Sequence, residues 1–340
     1  MGGMAVRDLL IVGAGPSGLA TAIAAAEAGL DYEVLEKGVL VNSVFHFPPQ
    51  MTFFTSPDLL EIGGHPFVSP YEKPTRHEAL RYYRRVAERH GLAVTLGETV
   101  SAVTAAPASG AQFLVTSSGA AGNLRERLAQ QVVIATGYYD QPNRLGIPGE
   151  SLPHVAHYYG DPHAHWRQRV VIVGGRNSAA IAALELYRAG AHVTLVHRGE
   201  ALSPRIKYWI RPDIENRIRE GAVQAHFGAT IEAITPRTVR VRAADGQPLD
   251  LEADAVLLLT GYHPDVALLT AAGVTLGPQQ VPTFHPDTME TNVPGLYLAG
   301  GLVGGLDTGA IFIENGRFHG EQIVRHIVGR RATVSRDRST

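Results

Sequence analysis

The sequence predicts an α/β protein built from two Rossmann-like dinucleotide-binding domains, the first of them discontinuous. Three observations carry this expectation. Two glycine turns each follow an apolar run: Gly13-Ala-Gly15-Pro-Ser-Gly18 after Leu9-Leu-Ile-Val12, and Gly174-Gly-Arg-Asn-Ser-Ala179 after Val170-Val-Ile-Val173. Each turn leads into a stretch of small residues and then a second apolar strand. Each half later carries an apolar strand closing on Thr-Gly, at Val132–Gly137 and Val256–Gly261. The halves therefore echo one another, and 340 residues is length enough for two cores.

Taken in order, residues 7–12 read as a buried strand, Gly13 to Gly18 as its turn, and Leu19–Ala28 as a helix ended by Gly29. Tyr32–Leu35 is the next strand, closing on Glu36. Residues 42–67 form an irregular segment rich in phenylalanine, which either packs as core or lines a site. Thr75–His90 reads as an amphipathic helix, and residues 93–117 alternate like antiparallel strands. Pro, Gly and His cluster over Pro142–Arg169, a candidate boundary. Val170 opens the second unit, with a helix over Ser178–Ala189 and a strand over His192–Val196. Further alternating strands fill 223–260. Leu296–Gly300 is expected as the last strand and Thr308–Gly329 as a closing helix. The resulting division is 1–155 with 285–340 as one domain, and 165–284 inserted as the other.

Composition narrows the function. Apolar residues make up 45% of the chain, ordinary for a globular protein, and the net charge is −2. That gives no basic face of the kind nucleic acid requires. The chain has no cysteine, which excludes disulfides, thiolate metal sites and a redox dithiol carried by the protein. It fits a reducing cytoplasm, the expected location. Met1-Gly-Gly-Met4 lacks the basic and apolar regions of a secretory signal. Leu9–Leu30 is apolar but holds four glycines, a proline and a glutamate, so it parses as strand, turn and helix rather than as a membrane span. No membrane partner is expected. The polar tail from Arg330 is expected to be frayed.

The first turn obeys G-x-G-x-x-G in full. Gly13 permits the tight turn, Gly15 lets backbone approach a pyrophosphate, and Gly18 allows close helix–strand packing. The helix start supplies free N–H groups and a positive partial charge. Glu36 follows about 20 residues on, at a strand end, where a carboxylate can bind ribose hydroxyls. The second turn departs from the pattern: Arg176 stands at the middle glycine and Ala179 at the third. Arg176 either crowds the pyrophosphate or contacts phosphate itself. His197-Arg198 closes the following strand where an acid would mark NAD, and an arginine there suits the 2′-phosphate of NADP. Arg205 and Lys207 follow as phosphate partners or as solvated surface charge.

The late string Thr291-Asn-Val-Pro-Gly-Leu-Tyr-Leu-Ala-Gly300 resembles the second FAD signature of two-dinucleotide flavoproteins. That resemblance places the flavin at the first turn, with a helix start near Thr308 aimed at its pyrimidine edge. Over nearly the whole chain, the sequence resembles the thioredoxin-reductase-like branch of FAD/NAD(P) oxidoreductases. More narrowly, Asn42-Ser-Val-Phe-His-Phe-Pro48, Met51-Thr-Phe-Phe-Thr55, Leu59-Leu-Glu-Ile-Gly63, Gly174–Ala179 and Ile311-Phe-Ile-Glu-Asn-Gly316 resemble the bacillithiol disulfide reductase family. The resemblance implies FAD and NADPH as cofactors and a homodimer or homotetramer. It has three departures. The Cys-x-x-Cys of thioredoxin reductases is missing, the family's cysteine in the first turn is Ser17, and Gly301 stands where many relatives have Asp.

The FAD site is accordingly expected from Gly13, Gly15, Pro16, Ser17, Gly18, Glu36, Lys37, Asn42, Phe47, Thr136, Gly137, Gly300, Gly301, Ala310 and Ile311. The NADPH site is expected from Gly174, Gly175, Arg176, Asn177, Ser178, Ala179, His197, Arg198, Lys207 and Gly261. Ser17 and His46 are the candidate catalytic side chains. Ser17 more simply starts a helix, and His46 either donates a proton or packs. His163 and His165 lack a third ligand at a metal spacing, so no metal is expected. The expected reaction passes hydride from NADPH to FAD and then electrons to a low-molecular-weight disulfide. The alternatives are a ferredoxin, flavodoxin or quinone reductase, a flavin monooxygenase, and a non-enzymatic flavin-binding or regulatory protein.

Overall fold

The computed structural model describes residues 4–337 and divides into two compact units. The first comprises Met1–His46, Met51–Gln141 and Tyr262–Thr340, the second Phe47–Gln50 and Pro142–Gly261. The chain thus returns to the first unit at Tyr262, earlier than the return expected near residue 285. The two-domain α/β architecture predicted from the glycine turns is the one observed.

The first unit opens with β1 (Val6–Val12), β2 (Tyr32–Glu36), β3 (Val94–Leu96), β4 (Glu98–Ala105), β5 (Phe113–Gly119) and β6 (Leu124–Ile134). The sheet order is β3-β2-β1-β6-β5-β4. Leu9, Leu10 and Ile11 are fully buried, as in a strand covered on both faces. β3 was expected among antiparallel strands but pairs parallel with β2, because the helix Arg76–Arg89 carries the chain back across the sheet. That helix begins with a capping box between Thr75 and Glu78. In the phenylalanine-rich segment, Phe53 and Phe67 are buried, Phe67 stacks on Tyr82, and Phe45 is exposed.

The second unit holds β7 (Val155–Ala156), β8 (Arg169–Val173), β9 (His192–His197), β10 (Gln224–Phe227), β11 (Thr230–Ile234), β12 (Thr238–Arg242), β13 (Pro248–Glu252) and β14 (Ala255–Leu258). Its parallel sheet runs β10-β9-β8-β14-β7, and β11, β12 and β13 form a separate antiparallel sheet. Its interior gathers Val171, Val196, Val239, Val241, Val256 and Leu258.

The chain then adds β15 (Leu296–Leu298) to the first sheet, parallel to β6. The closing helix differs from expectation. It starts not near Thr308 but with a single turn at Ile313–Gly316, followed by His319–Asp337. The Phe312 N–H donates to Asn315 Oδ1 at 2.8 Å, and Asn315 Nδ2 donates to the Ala310 carbonyl at 3.1 Å, which fixes residues 310–312 as a turn ahead of the helix. The helix continues through the tail expected to fray from Arg330, and residues 338–340 lie outside those described. It packs on the helix Pro16–Glu27 at Gly320, where a Cβ would lie 2.6 Å from Thr21 backbone. Among the described residues, no helix is long and apolar enough to cross a membrane.

Candidate dinucleotide-binding sites

Strands β1, β2, β6 and β15 present their C-terminal ends together, the edge where open α/β sheets bind ligands. Gly13 sits there at φ +105, and a Cβ on it would fall 2.6 Å from the Ala135 carbonyl oxygen. The turn therefore lies against the strand end that carries Thr136 and Gly137. Gly18 closes the turn even more tightly, since a Cβ would fall 2.0 Å from the Gly13 carbonyl oxygen. Gly15 is different. It has an ordinary φ of −71, and a Cβ on it would meet no protein atom within 4 Å. The space beside Gly15 is thus open to a ligand, and Pro16 starts the helix without costing a needed N–H. Glu36 is buried; its Oε2 accepts from the Ala14 N–H at 2.8 Å and its Oε1 from the Gly38 N–H at 2.9 Å. Each oxygen keeps acceptor capacity for a ribose hydroxyl. These features fit a dinucleotide with its pyrophosphate over Gly15.

The late strand meets the same turn. A Cβ on Gly300 would fall 2.8 Å from Ser17 Oγ, and one on Gly316 3.0 Å from it. The Ser17 hydroxyl is thus enclosed by two glycines. Its carbonyl accepts from Thr21 Oγ1 at 2.8 Å, a helix-start role. His319, invisible to the sequence reading, accepts the Gly300 N–H at Nδ1 (3.1 Å), and burial lowers its pKa. At Gly301 a side chain would displace the Tyr138 ring, whose Cε1 lies 2.7 Å from an added Cβ. Ala310 and Ile311 belong to the turn preceding the closing helix.

Other expected partners are engaged elsewhere. Lys37 pairs with Asp140 at 2.7 Å. Asn42 Oδ1 accepts the Val39 N–H at 3.3 Å within its own turn. The exposed His46 ring holds its own helical turn at the Asn42 carbonyl (2.9 Å) and packs edge-on to Phe45. Phe47, expected in the first domain, lies in the Phe47–Gln50 segment that groups with the second unit. There Gln50 Nε2 donates to Glu185 Oε2 at 2.7 Å and to the Gly160 carbonyl at 3.3 Å.

The second turn repeats the first. A Cβ on Gly174 would fall 2.5 Å from the Leu259 carbonyl oxygen, just before Thr260 and Gly261. Ala179 is buried, and its methyl stands 3.0 Å from where a Cβ on Gly174 would lie. Arg176 caps the helix Asn177–Arg188 in extended backbone, with its side chain and Ser178 exposed. The His197 ring lies flat on Gly175, three of its atoms being 2.5 Å from where a Cβ would stand. Burial, then the Arg198 and Arg176 charges, lower its pKa. His163 and His165 form a short turn capped by Asp161. Among the described residues, no three His, Asp or Glu side chains are grouped to hold a metal.

Residues 10–300 match the family model described as pyridine nucleotide-disulphide oxidoreductase. The chain is 42% identical over 328 residues to bacilliredoxin reductase of Bacillus subtilis, covering 96% of this chain and 99% of that one. It superposes on the bacillithiol disulfide reductase structure from Bacillus cereus with a TM-score of 0.93 at 41% identity, covering 96% and 100% of the two chains. A ferredoxin–NADP reductase of Ignicoccus hospitalis is 27% identical over 302 residues, 87% of this chain and 90% of the relative. The chain belongs to the pyridine nucleotide-disulphide oxidoreductase family and is a flavoprotein reductase with FAD and NADPH as its cofactors.

Proposed function

We propose that this enzyme reduces a low-molecular-weight thiol disulfide of the bacillithiol disulfide type, with FAD held at the first glycine turn and NADPH at the second. The observation that carries the reading is end-to-end likeness to the bacilliredoxin reductase, together with two turns built to the same plan. The balance is NADPH, one proton and one disulfide giving NADP⁺ and two thiols. When bound, FAD supplies the hydride acceptor and electron relay. The chain's residues orient and hold. Glu36 would hold the ribose end, the helix start at Pro16 would receive the pyrophosphate, and Arg198 with Arg176 would receive the nucleotide at the second turn. With no cysteine in the chain, the substrate has no protein sulfur to exchange with. Ser17 packs and does not react. The enzyme is placed in the cytoplasm, as a homodimer or homotetramer.

A second reading, reduction of ferredoxin, flavodoxin or quinone, is favoured by the same lack of cysteine and by the ferredoxin–NADP reductase relative. Steady-state NADPH oxidation separates the two. Bacillithiol disulfide is expected to be turned over faster than ferredoxin or quinone, and Ser17→Ala is expected to leave that rate unchanged. Fast turnover with ferredoxin alone reverses the assignment, and a large loss in Ser17→Ala gives Ser17 a chemical role.

Arg198→Ala is expected to raise KM for NADPH roughly ten- to a hundredfold, as loss of a charge-assisted contact of about 1.5–3 kcal/mol requires. KM for NADH should not move. Equal effects on both donors would remove the 2′-phosphate from Arg198.

A further inference from the structure

Asn177, the first residue of the helix Asn177–Arg188, does not spend its side chain on the helix start. Its Oδ1 accepts the Lys207 N–H at 2.9 Å, and its Nδ2 donates to the Arg205 carbonyl at 3.3 Å. One amide therefore grips the backbone on either side of Ile206. The Ser203 N–H adds a third tie, donating to the Gly175 carbonyl at 2.9 Å. The loop is anchored from below by Leu202, Ile206 and Ile210, each buried and four positions apart. The intervening Arg205, Tyr208 and Trp209 are exposed and Lys207 is half-buried. The ties hold a cation-bearing loop against a glycine turn that carries Arg176 and that meets the strand end carrying Arg198.

We propose that Asn177 is a positioning residue for nucleotide selection, its amide registering Arg205 and Lys207 against Arg176 and Arg198 to receive a 2′-phosphate. The inference rests on the reading that NADPH binds at the second turn. An unclamped loop must be ordered at the moment of binding, and that conformational entropy is subtracted from affinity. The deficit falls on the phosphate that the loop touches and spares the rest of the nucleotide. The side-chain chemistry is specific. An aspartate at 177 still accepts from Lys207 but cannot donate to the Arg205 carbonyl, and it sets a negative charge beside the phosphate. A carboxylate in a first helical turn stabilises the helix, so Asn177→Asp keeps the fold.

The test is calorimetric titration of the flavin-loaded enzyme with 2′,5′-ADP and, separately, 5′-ADP. Asn177→Ala is expected to weaken 2′,5′-ADP about tenfold and to leave 5′-ADP unchanged, and Asn177→Asp, whose charge also faces the 5′-diphosphate, to weaken 2′,5′-ADP more than 5′-ADP, a selectivity that a merely loosened fold does not produce. In an Arg205→Gln/Lys207→Gln background, Asn177→Ala should cost nothing further. Equal weakening of both ligands, no weakening of either, or a full additional loss in that background each overturns the proposal. Wild-type enzyme that fails to prefer 2′,5′-ADP instead overturns the NADPH-at-second-turn reading on which it rests.

Discussion

Gly18→Ala is expected to yield protein that purifies without flavin and melts at a lower temperature. The added methyl would stand 2.0 Å from the Gly13 carbonyl oxygen and 3.1 Å from its carbon. Both are backbone atoms in a turn pressed onto the end of β6, so neither can swing aside. The helix Pro16–Glu27 must lift, at an overpacking cost of about 1–3 kcal/mol, and its first N–H groups leave their places with it. Gly15→Ala is the control. Its φ is ordinary and its methyl meets no protein atom, so the melting temperature should hold while flavin is lost by direct obstruction. Flavin absorbance per protein and a melting curve for each variant decide the matter. Full flavin content in Gly18→Ala would refute the turn geometry.

Arg127→Met is expected to destabilise the first unit by about 1.5–3 kcal/mol, because Glu98 and Glu33 lose the guanidinium they share and keep only Arg125 and Arg7 as cationic partners. Arg127 reaches Glu33 at 3.0 Å, Ser117 Oγ at 3.0 Å and Glu98, tying β2, β4, β5 and β6 across one face of the sheet. The Glu98 side chain is 1% exposed. The Arg127 hydrogen bond first, then that of Ser117 and the Arg127 and Arg125 charges, hold its carboxyl down to about 2 from an ordinary 4.5. A depressed acid stabilises the fold fully above its unfolded pKa and loses that contribution as pH falls toward its folded one. Glu98 thus contributes stability that is fully present above pH 4.5 and disappears progressively down to about pH 2. The stability gap between wild type and Arg127→Met, measured by denaturant titration, should be widest at neutral pH and close below pH 4.5. A gap independent of pH would detach the effect from Glu98.

Much of the frame was legible because its constraints are local. A turn that must pass beneath a helix start and against a strand end tolerates only glycine at Gly13 and Gly18, and the apolar runs around it admit few other readings. Glu36 was legible for the same reason, since one strand length fixes its distance from the turn. What was missed depends on partners remote in sequence. Nothing near Phe47 announces that Gln50 will meet Glu185, so the segment was assigned to the wrong unit. The Gly300–His319 hydrogen bond and the grip of Asn177 on Arg205 and Lys207 likewise join residues whose separations follow no repeat. The late helix start was hidden by composition, because Thr308–Ile311 is as compatible with a helix as with the turn Asn315 imposes.

Strand β6 has a consequence for the order in which the protein can be completed. Its first half pairs with β5, its second half with β1, and its last three residues wait for β15. Those partners are made before and after Pro142–Gly261, the main span of the second unit. As the chain leaves the ribosome, the later-starting unit has all its parts first. The earlier one still lacks a strand and the helix that covers Thr21, so it stays open along β6 until synthesis is nearly finished. A chain cut short before Leu296 would therefore hold a finished second unit beside an exposed strand edge, the kind of surface that recruits other chains.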